Sequence, residues 1–386
     1  MTNSNMMKKE FLIKAFALMA CLMCSTGAMA QEAYANFTPS DSTLTFYFDT
    51  QRSSRPGTTY SLNTGESYPD WSYYSSIVYH LAFDPSFAAA RPTTTSSWFR
   101  GMDKLTTITG IHYLNTSLVT DMEHMFHGCT LLRSIDLSAF DTRNVADMNS
   151  MFVGCKSLIS LDLSALDTRN VTDMNCMFAG CTTLTSLDLS TLDTGNVTDM
   201  NGMFGACTAL TSIDLSPLNT GNVTNMSRLF YECRSLTSVN LSGINTGNVT
   251  DMNSMFTRCS SLLSMDLSGL NTGNVINMAE MFLGCSTLTS VNMSGLNTSN
   301  VINMRGMFME CTSLTTIDLS TIDTGKVTNM ASMFMGCKAL TSIDLSGLNT
   351  GNVTNMSTMF YGCAALTSAN ISGLNTGNVT NMAGMF

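Results

Sequence analysis

Cysteines at Cys129, Cys155, Cys181, Cys207, Cys233, Cys259, Cys285, Cys311, Cys337 and Cys363 follow one another at intervals of 26 residues. A thiol can serve as nucleophile, metal ligand or half of a disulfide. The chain offers other reactive groups as well: Asp-Thr-Gly at Asp193 and Asp323, methionines paired as MxxM, and His124 and His127 beside Asp121 and Glu123. Because the cysteines recur at one period, each group is first a member of a column and only then a candidate site. A fixed period of roughly 20 to 50 residues marks a solenoid, whose units bury their apolar faces only against their neighbours.

As columns, these groups lose most of their chemistry. Asp-Thr-Gly matches the motif in which two carboxylates share a proton, but other copies read Asn-Thr-Gly or Asp-Thr-Arg, which is turn chemistry. The MxxM pairs would suit a soft metal, yet they share a face with a recurring Phe and so read as adaptable core packing. In an exported protein repeated cysteines suggest disulfides. Beyond residue 30, however, eleven of the 13 cysteines remain, an odd number, with one thiol per unit at a core position. The pattern predicts a ladder of buried free thiols, with Cys176 on the outer side as a reactive leftover. Met122, Met125, Phe126 and Cys129 claim the buried face of the first repeat, so His124 and His127 are expected to point outward as a solvated pair, without the further ligands a zinc site needs. No catalytic residue, cofactor or metal is assigned, and the chain is not read as an enzyme.

Residues 181–206 show which elements must hold these columns. Leu187 and Leu189 alternate with Ser186, Asp188 and Ser190, the period-2 pattern of a strand with one buried face. Met200, Met203, Phe204 and Cys207 fall at i, i+3, i+4 and i+7 and predict a short helix capped by Thr198 or Asp199, although Gly202 inside it lowers helix propensity by about 1 kcal/mol relative to Ala. Asp193-Thr194-Gly195-Asn196 makes the turn between them. Stacked in register, the coils place Asp136, Asp162, Asp188, Asp214, Asp266, Asp318 and Asp344 in one outward column at a spacing of about 4.8 Å, interrupted by Asn240, Asn292 and Asn370. This is read as a solvated face, since the glycine-rich calcium loop of β-roll repeats is absent.

Upstream of the repeats the composition turns aromatic. Thr43–Phe48 and Gly57–Leu62, separated by a polar turn, predict a hairpin; Ile77–Asp84 predicts a third strand, and Pro85 opens a short helix. Earlier still, Lys8 and Lys9 precede an apolar run and Ala28-Met29-Ala30, the layout of a secretory signal peptide cleaved after Ala30. A lipoprotein signal at Cys21 is the competing reading. The expected organisation is therefore a leader at 1–30, a β-rich cap at 31–104 and a solenoid at 105–386. Its last residues, NMAGMF, stop within a repeat, so the solenoid is expected to be truncated at its C-terminus, with self-association through the uncapped end. Residues 1–30 hold three of the 18 basic and one of the 28 acidic residues, which leaves 15 against 27 and a net charge of −12. That balance argues against nucleic acid and anionic membrane surfaces, and no later run is long enough to span a membrane.

Leu184-x-x-Leu187-x-Leu189-x-x-Leu192 resembles the strand segment of a leucine-rich repeat, and NVTDMNGMFGAC resembles the 26-residue unit of BspA-like leucine-rich repeat surface proteins of bacteria. The resemblance runs from residue 43 to 386. It implies an α/β solenoid, a leucine-rich-repeat-like right-handed stack of strand-turn-short helix coils behind an N-terminal β-rich cap, and a secreted or cell-surface protein without enzymatic activity. Where ordinary leucine-rich repeats carry Asn or Cys, this chain has Leu192, so the backbone-bonding role of that Asn is expected to pass to Asn196 and its equivalents. The implied function is a protein-binding or adhesion module with an extracellular or host-surface protein as partner. A structural surface coat and a carbohydrate-binding solenoid are the alternatives. Variation between copies gathers at one coil edge, in Arg228, Glu232, Arg234, Arg258, Glu280, Arg305, Glu310 and Lys338, where partner specificity is expected.

Overall fold

The computed structural model describes residues 30–64 and 68–386. The expected leader falls on residues 1–29, outside them; Ala30 is exposed, two residues before the first strand. Strands β1 (Glu32–Thr38), β2 (Thr43–Asp49), β3 (Thr58–Ser61), β4 (His80–Phe83) and β5 (Thr107–Thr109) form one sheet in the order β3-β1-β2-β4-β5. The expected hairpin of β2 with β3 does not form, because β1 lies between them and pairs antiparallel with both. Tyr34, Ala35, Asn36 and Phe37 are all buried, so β1 is covered on both faces and has no alternation for sequence reading to detect. The sheet turns parallel at β2-β4 and β4-β5, which sets the strand direction for the stack that follows.

Phe46 anchors the cap, in ring contact with Trp71, Phe83, Phe87, Trp98 and Phe99. The Trp71 indole donates to the Trp98 carbonyl at 2.7 Å, which satisfies its N–H inside the core. The expected helix at Pro85 is a 3-10 helix, Pro85–Ala89, capped by Asp84 Oδ1 on the Ser86 N–H. Phe99 then packs on Phe126 at 5.3 Å and hands the core over to the repeats.

Beyond this point the molecule is a β-solenoid of about 11 turns. Phenylalanines from Phe126 to Phe360 form one stack, with centroids 5.4–5.9 Å apart and planes within 2–14°. Beside it run columns of Val, Met and Cys, nearly all buried. Each column thiol donates to the carbonyl of a phenylalanine in the preceding coil, as Cys207 does to Phe178 at 3.2 Å. A column missed in the sequence is threonine: Thr142 donates to the Asp167 carbonyl at 2.9 Å and accepts the Asp167 N–H at 2.8 Å, clipping two coils together. Its equivalents from Thr116 to Thr350 are likewise buried.

The short helix expected in each coil is not there; among the described residues no α-helix occurs. In residues 200–207, the N–H groups of Met200, Gly202 and Phe204 donate to Asn225, Ser227 and Leu229 of the next coil at 3.1, 2.9 and 3.0 Å. Those of Met203, Gly205 and Cys207 turn back three residues along the chain. Gly202 and Ala206 take left-handed φ of 57° and 56°. Consecutive three-residue turns bring Met200, Met203, Phe204 and Cys207 inward much as a helix would, so side-chain spacing alone does not separate the two paths. The stack decides between them, because the neighbouring coil accepts every second N–H.

Candidate interaction surface

The surface is made of whatever the columns leave outside. On one face Asn196 Nδ2 donates to the Arg169 carbonyl at 2.6 Å, and Asn170, Asn222, Asn248, Asn274, Asn300, Asn352 and Asn378 repeat the bond. These residues supply the backbone-bonding role that Leu192 vacates. Lys326 breaks the ladder and places its ammonium on Asn300 Oδ1 at 2.5 Å.

On the strand face each column carboxylate folds back onto its own backbone, as Asp188 Oδ1 does on the Ser190 N–H at 2.9 Å. Such hydrogen bonds hold these exposed carboxyls below their ordinary range. The Asp-Thr-Gly candidates behave the same way: Asp193 Oδ1 accepts the Gly195 N–H at 3.0 Å and Asp323 Oδ1 that of Gly325 at 2.8 Å, turn bonds in both cases. His124 and His127 are partly buried rather than solvated, stacked at 5.0 Å, with His124 Nδ1 3.0 Å from Glu123 Oε1. Burial, then the Arg100 charge, lowers both imidazoles, His127 to about 4. Among the described residues no group of three His, Cys, Asp or Glu side chains is placed to hold a metal ion.

The remaining candidates lie on the edge formed by the three-residue turns. Two positions per coil have left-handed φ there. Glycine fills the second in Gly128, Gly154, Gly180, Gly284, Gly336 and Gly362, where a Cβ would be strained. Arg228, Glu232, Arg258, Glu280 and Glu310 occupy such positions with φ of 56–60°. An L-residue held there costs roughly 1–2 kcal/mol, yet these five fall in successive coils. Arg258 lies across Gly284, whose Cβ would come within 3.1 Å of the Arg258 Cγ, so a side chain at 284 would crowd the arginine.

The structure brings five of the eight expected residues into contact. Glu232 pairs with Arg234 at 3.0 Å and with Arg258 of the next coil at 2.9 Å, and Glu280 pairs with Arg305. Burial opposes ionisation of Glu232, but the hydrogen bonds from Arg258 and Arg234 outweigh it and hold the carboxyl below its usual range. Arg228, Glu310 and Lys338 flank these pairs. What sequence reading did not assemble is the column between the two left-handed positions: His127, Val153, Ala179, Gly205, Tyr231 and Thr257 are followed by Leu283, Met309, Met335 and Tyr361, and these last four all reach solvent. Aligning the copies by position and following side-chain size down that one column is the signal that finds it.

Four overlapping matches, at residues 93–212, 159–262, 237–342 and 285–386, fall to the family described as "Mycoplasma protein of unknown function, DUF285". The chain belongs to the DUF285 family. Among solved structures this DUF285 chain is similar to a leucine-rich repeat protein from Bacteroides ovatus, at 20% identity and a TM-score of 0.37 over 88% of this chain and 92% of that one. A leucine-rich repeat protein from Eubacterium ventriosum is similar at 14% identity and a TM-score of 0.37, over 90% and 94%. The functional domain of InlJ from Listeria monocytogenes, described as including a cysteine ladder, is similar at 15% identity and a TM-score of 0.24, over 78% and 59%. No curated protein matches. Among the described residues no helix is long and apolar enough to cross a membrane.

Proposed function

We propose that this DUF285 chain is an exported surface protein of the BspA-like leucine-rich repeat type that works without catalysis, as a protein-binding or adhesion module. In this reading a leader ending at Ala30 precedes a cap at 31–104 and a solenoid at 105–386, and the partner is an extracellular or host-surface protein. One observation carries the proposal: five charged residues hold left-handed positions of a single edge in four successive coils, from Arg228 to Glu310. Backbone strain of this kind, of order 1–3 kcal/mol per residue, concentrates at functional sites. Elsewhere these positions hold Gly, Ser, Thr, Ala, Cys or His, none of which places a long charged side chain on the edge.

The reading is tested by pull-down of the mature chain against extracellular-matrix proteins and glycans. Saturable binding to a protein, weakened by Arg228→Ala together with Arg258→Ala, is the expected result. Retention of glycans alone would favour a carbohydrate-binding solenoid. No retention of either would leave a structural coat.

A further inference from the structure

Three departures from the repeat fall together on the face of the asparagine ladder. In most coils a threonine follows the buried valine and donates to the preceding coil, as Thr250 Oγ1 does to the Thr224 carbonyl at 3.2 Å. Ile276 and Ile302 hold that place in two adjacent coils, joined by the Ile302 N–H on the Ile276 carbonyl at 2.9 Å. Neither can make the hydroxyl bond, and the two residues are 46% and 44% exposed. In the next coil Lys326 stands where the ladder has Asn, so the Ser299 carbonyl forgoes the amide that its equivalents Gly273 and Gly325 receive. All three departures border one depression of about 500 Å³, lined also by Asn248, Asn274 and Asn300. The ladder continues past it at Asn352 and Asn378, so coils flank it on both sides.

We infer that this depression binds the free C-terminus of a partner protein, its carboxylate on the Lys326 ammonium and a branched aliphatic last side chain on Ile276 and Ile302. The inference rests on the protein-binding reading and deepens it by naming a site and the partner's chemistry there. Covering two half-exposed isoleucines supplies an apolar contact that threonine in the other coils does not. Among the described residues lining the depression Lys326 is the only charged one. Its ammonium reaches back to Asn300 Oδ1 in the preceding coil, while the Asp323 carboxylate folds onto its own Gly325 N–H at 2.8 Å. Among the described residues no ion pair joins Lys326 to Asp323, and Glu280 and Arg305, farther along the same coils, pair with each other. The charge that faces the depression is therefore positive.

The asparagines favour a peptide over a fatty acid. Asn248 and Asn274 give their amide nitrogens to the Gly221 and Gly247 carbonyls at 2.7 and 2.6 Å, which leaves each Oδ1 as an acceptor. Asn274 lies two coil steps of about 4.8 Å from Lys326, whose ammonium spans one of them. One extended residue of about 3.4 Å, with its hydrogen bonds, then joins a carboxylate on Lys326 to an N–H on Asn274. A fatty acid has no N–H to offer there.

The test is panning, on the full chain, of a library that displays random peptides with free C-termini, followed by anisotropy titration of the selected peptides and of their C-terminally amidated twins. Val, Ile or Leu should be enriched at the last position. Amidation should weaken binding about fivefold, the worth of an exposed ion pair, and added salt should weaken the free form toward the amidated one. Lys326→Asn should erase the difference between free and amidated peptides, and Ile276→Thr together with Ile302→Thr should weaken both about tenfold. These variants install the residues of the other coils, so their melting temperatures should not fall. Leu263→Thr, at an exposed leucine outside the depression, should leave binding unchanged. Peptides that bind equally well as amides, or are indifferent to Lys326→Asn and to the isoleucine pair, would overturn the site and leave the protein-binding reading intact. So would decanoate that binds at least as tightly as the peptides, or a screen that enriches nothing while the pull-down retains a matrix protein. If neither peptide nor protein is retained, both proposals fall together.

Discussion

Asn240 Nδ2 donates to Asp214 Oδ1 at 2.8 Å across two coils, and strand pairing on that face follows the bond. The strand face pairs at three steps, 214/240, 266/292 and 344/370, and each is an Asp followed in the next coil by an Asn. Asn292 makes the same bond to Asp266 at 2.9 Å, and the Ser346 hydroxyl and N–H, with Asn370 after them, hold Asp344 below its ordinary range. No strand pairing forms where Asp follows Asp, at 136/162, 162/188, 188/214 and 318/344, nor where Asp follows Asn, at 240/266 and 292/318, the Asn amide there being given to the Asp of the preceding coil. Stacked like charges push the strands apart, whereas an amide on a carboxylate draws them together.

Asp162→Asn should accordingly extend pairing to the 136/162 step and raise the melting temperature, and Asn240→Asp should lower it. Both effects should shrink in high salt, because the charges are exposed. Both should also shrink as pH falls through the lowered carboxyl range. Protonation removes the like charges of the column, so neither substitution then changes the repulsion between coils. Thermal melts at pH 7 and pH 3, in low and high salt, check this, and equal shifts under all four conditions would contradict it.

A second expectation concerns Asp147, stacked between Asp121 and Asp173 in a parallel bridge register. Burial, opposed by the Asn149 N–H and reinforced by those two carboxylates, raises its pKa to about 6. A carboxyl raised in the folded state destabilises it above that pH and ceases to do so as pH falls toward the unfolded value. Asp147→Asn should therefore stabilise the fold at pH 7.5, on the order of 1–2 kcal/mol after allowance for solvent, and do little at pH 4. Asn already stands at this position in Asn225 and Asn277. Urea unfolding at the two pH values measures the difference.

The thiol ladder should be reduced and inert. Burial pushes the column thiols up, Cys207 to about 12, so almost no thiolate exists at neutral pH. Alkylation of the native protein should label the half-buried Cys176 and Cys363 first, and the remaining cysteines only on unfolding. Rapid labelling of many thiols, or several disulfides in the mass spectrum, would contradict this.

Thr194→Val should cost about 1–3 kcal/mol, because it removes the hydrogen bond of the fully buried Thr194 hydroxyl to the Asn219 carbonyl without changing side-chain shape. Thr198→Val, at an exposed site four residues on, should be nearly silent in the same denaturant titration.

Glu310→Gly should stabilise the fold by about 1 kcal/mol, since it releases a left-handed residue that holds no ion pair. It should at the same time weaken partner binding. Opposite signs for stability and affinity are the signature of strain kept for function, and a loss of both would point to a structural role.

Much of this architecture was legible in the sequence because a solenoid repeats its own contacts. One period places Phe204 on Phe230, Cys207 beside Cys233, and Asn196 within reach of the preceding coil, so a 26-residue count is already a contact list. The edge charges were legible too, as departures from an otherwise regular copy. The backbone path through residues 200–207 was decided only by stacking: inward spacings of three and four fit a helix and a run of tight turns equally, until a neighbouring coil supplies carbonyls for every second N–H. In the same way β1 carries no alternation, because both its faces are covered, and the steps at which the strand face closes depend on which Asn meets which Asp one coil away. Within one coil the sequence sets which side chains face inward and which outward. Only the tertiary structure decides what the outward ones meet, because their partners lie 26 residues away.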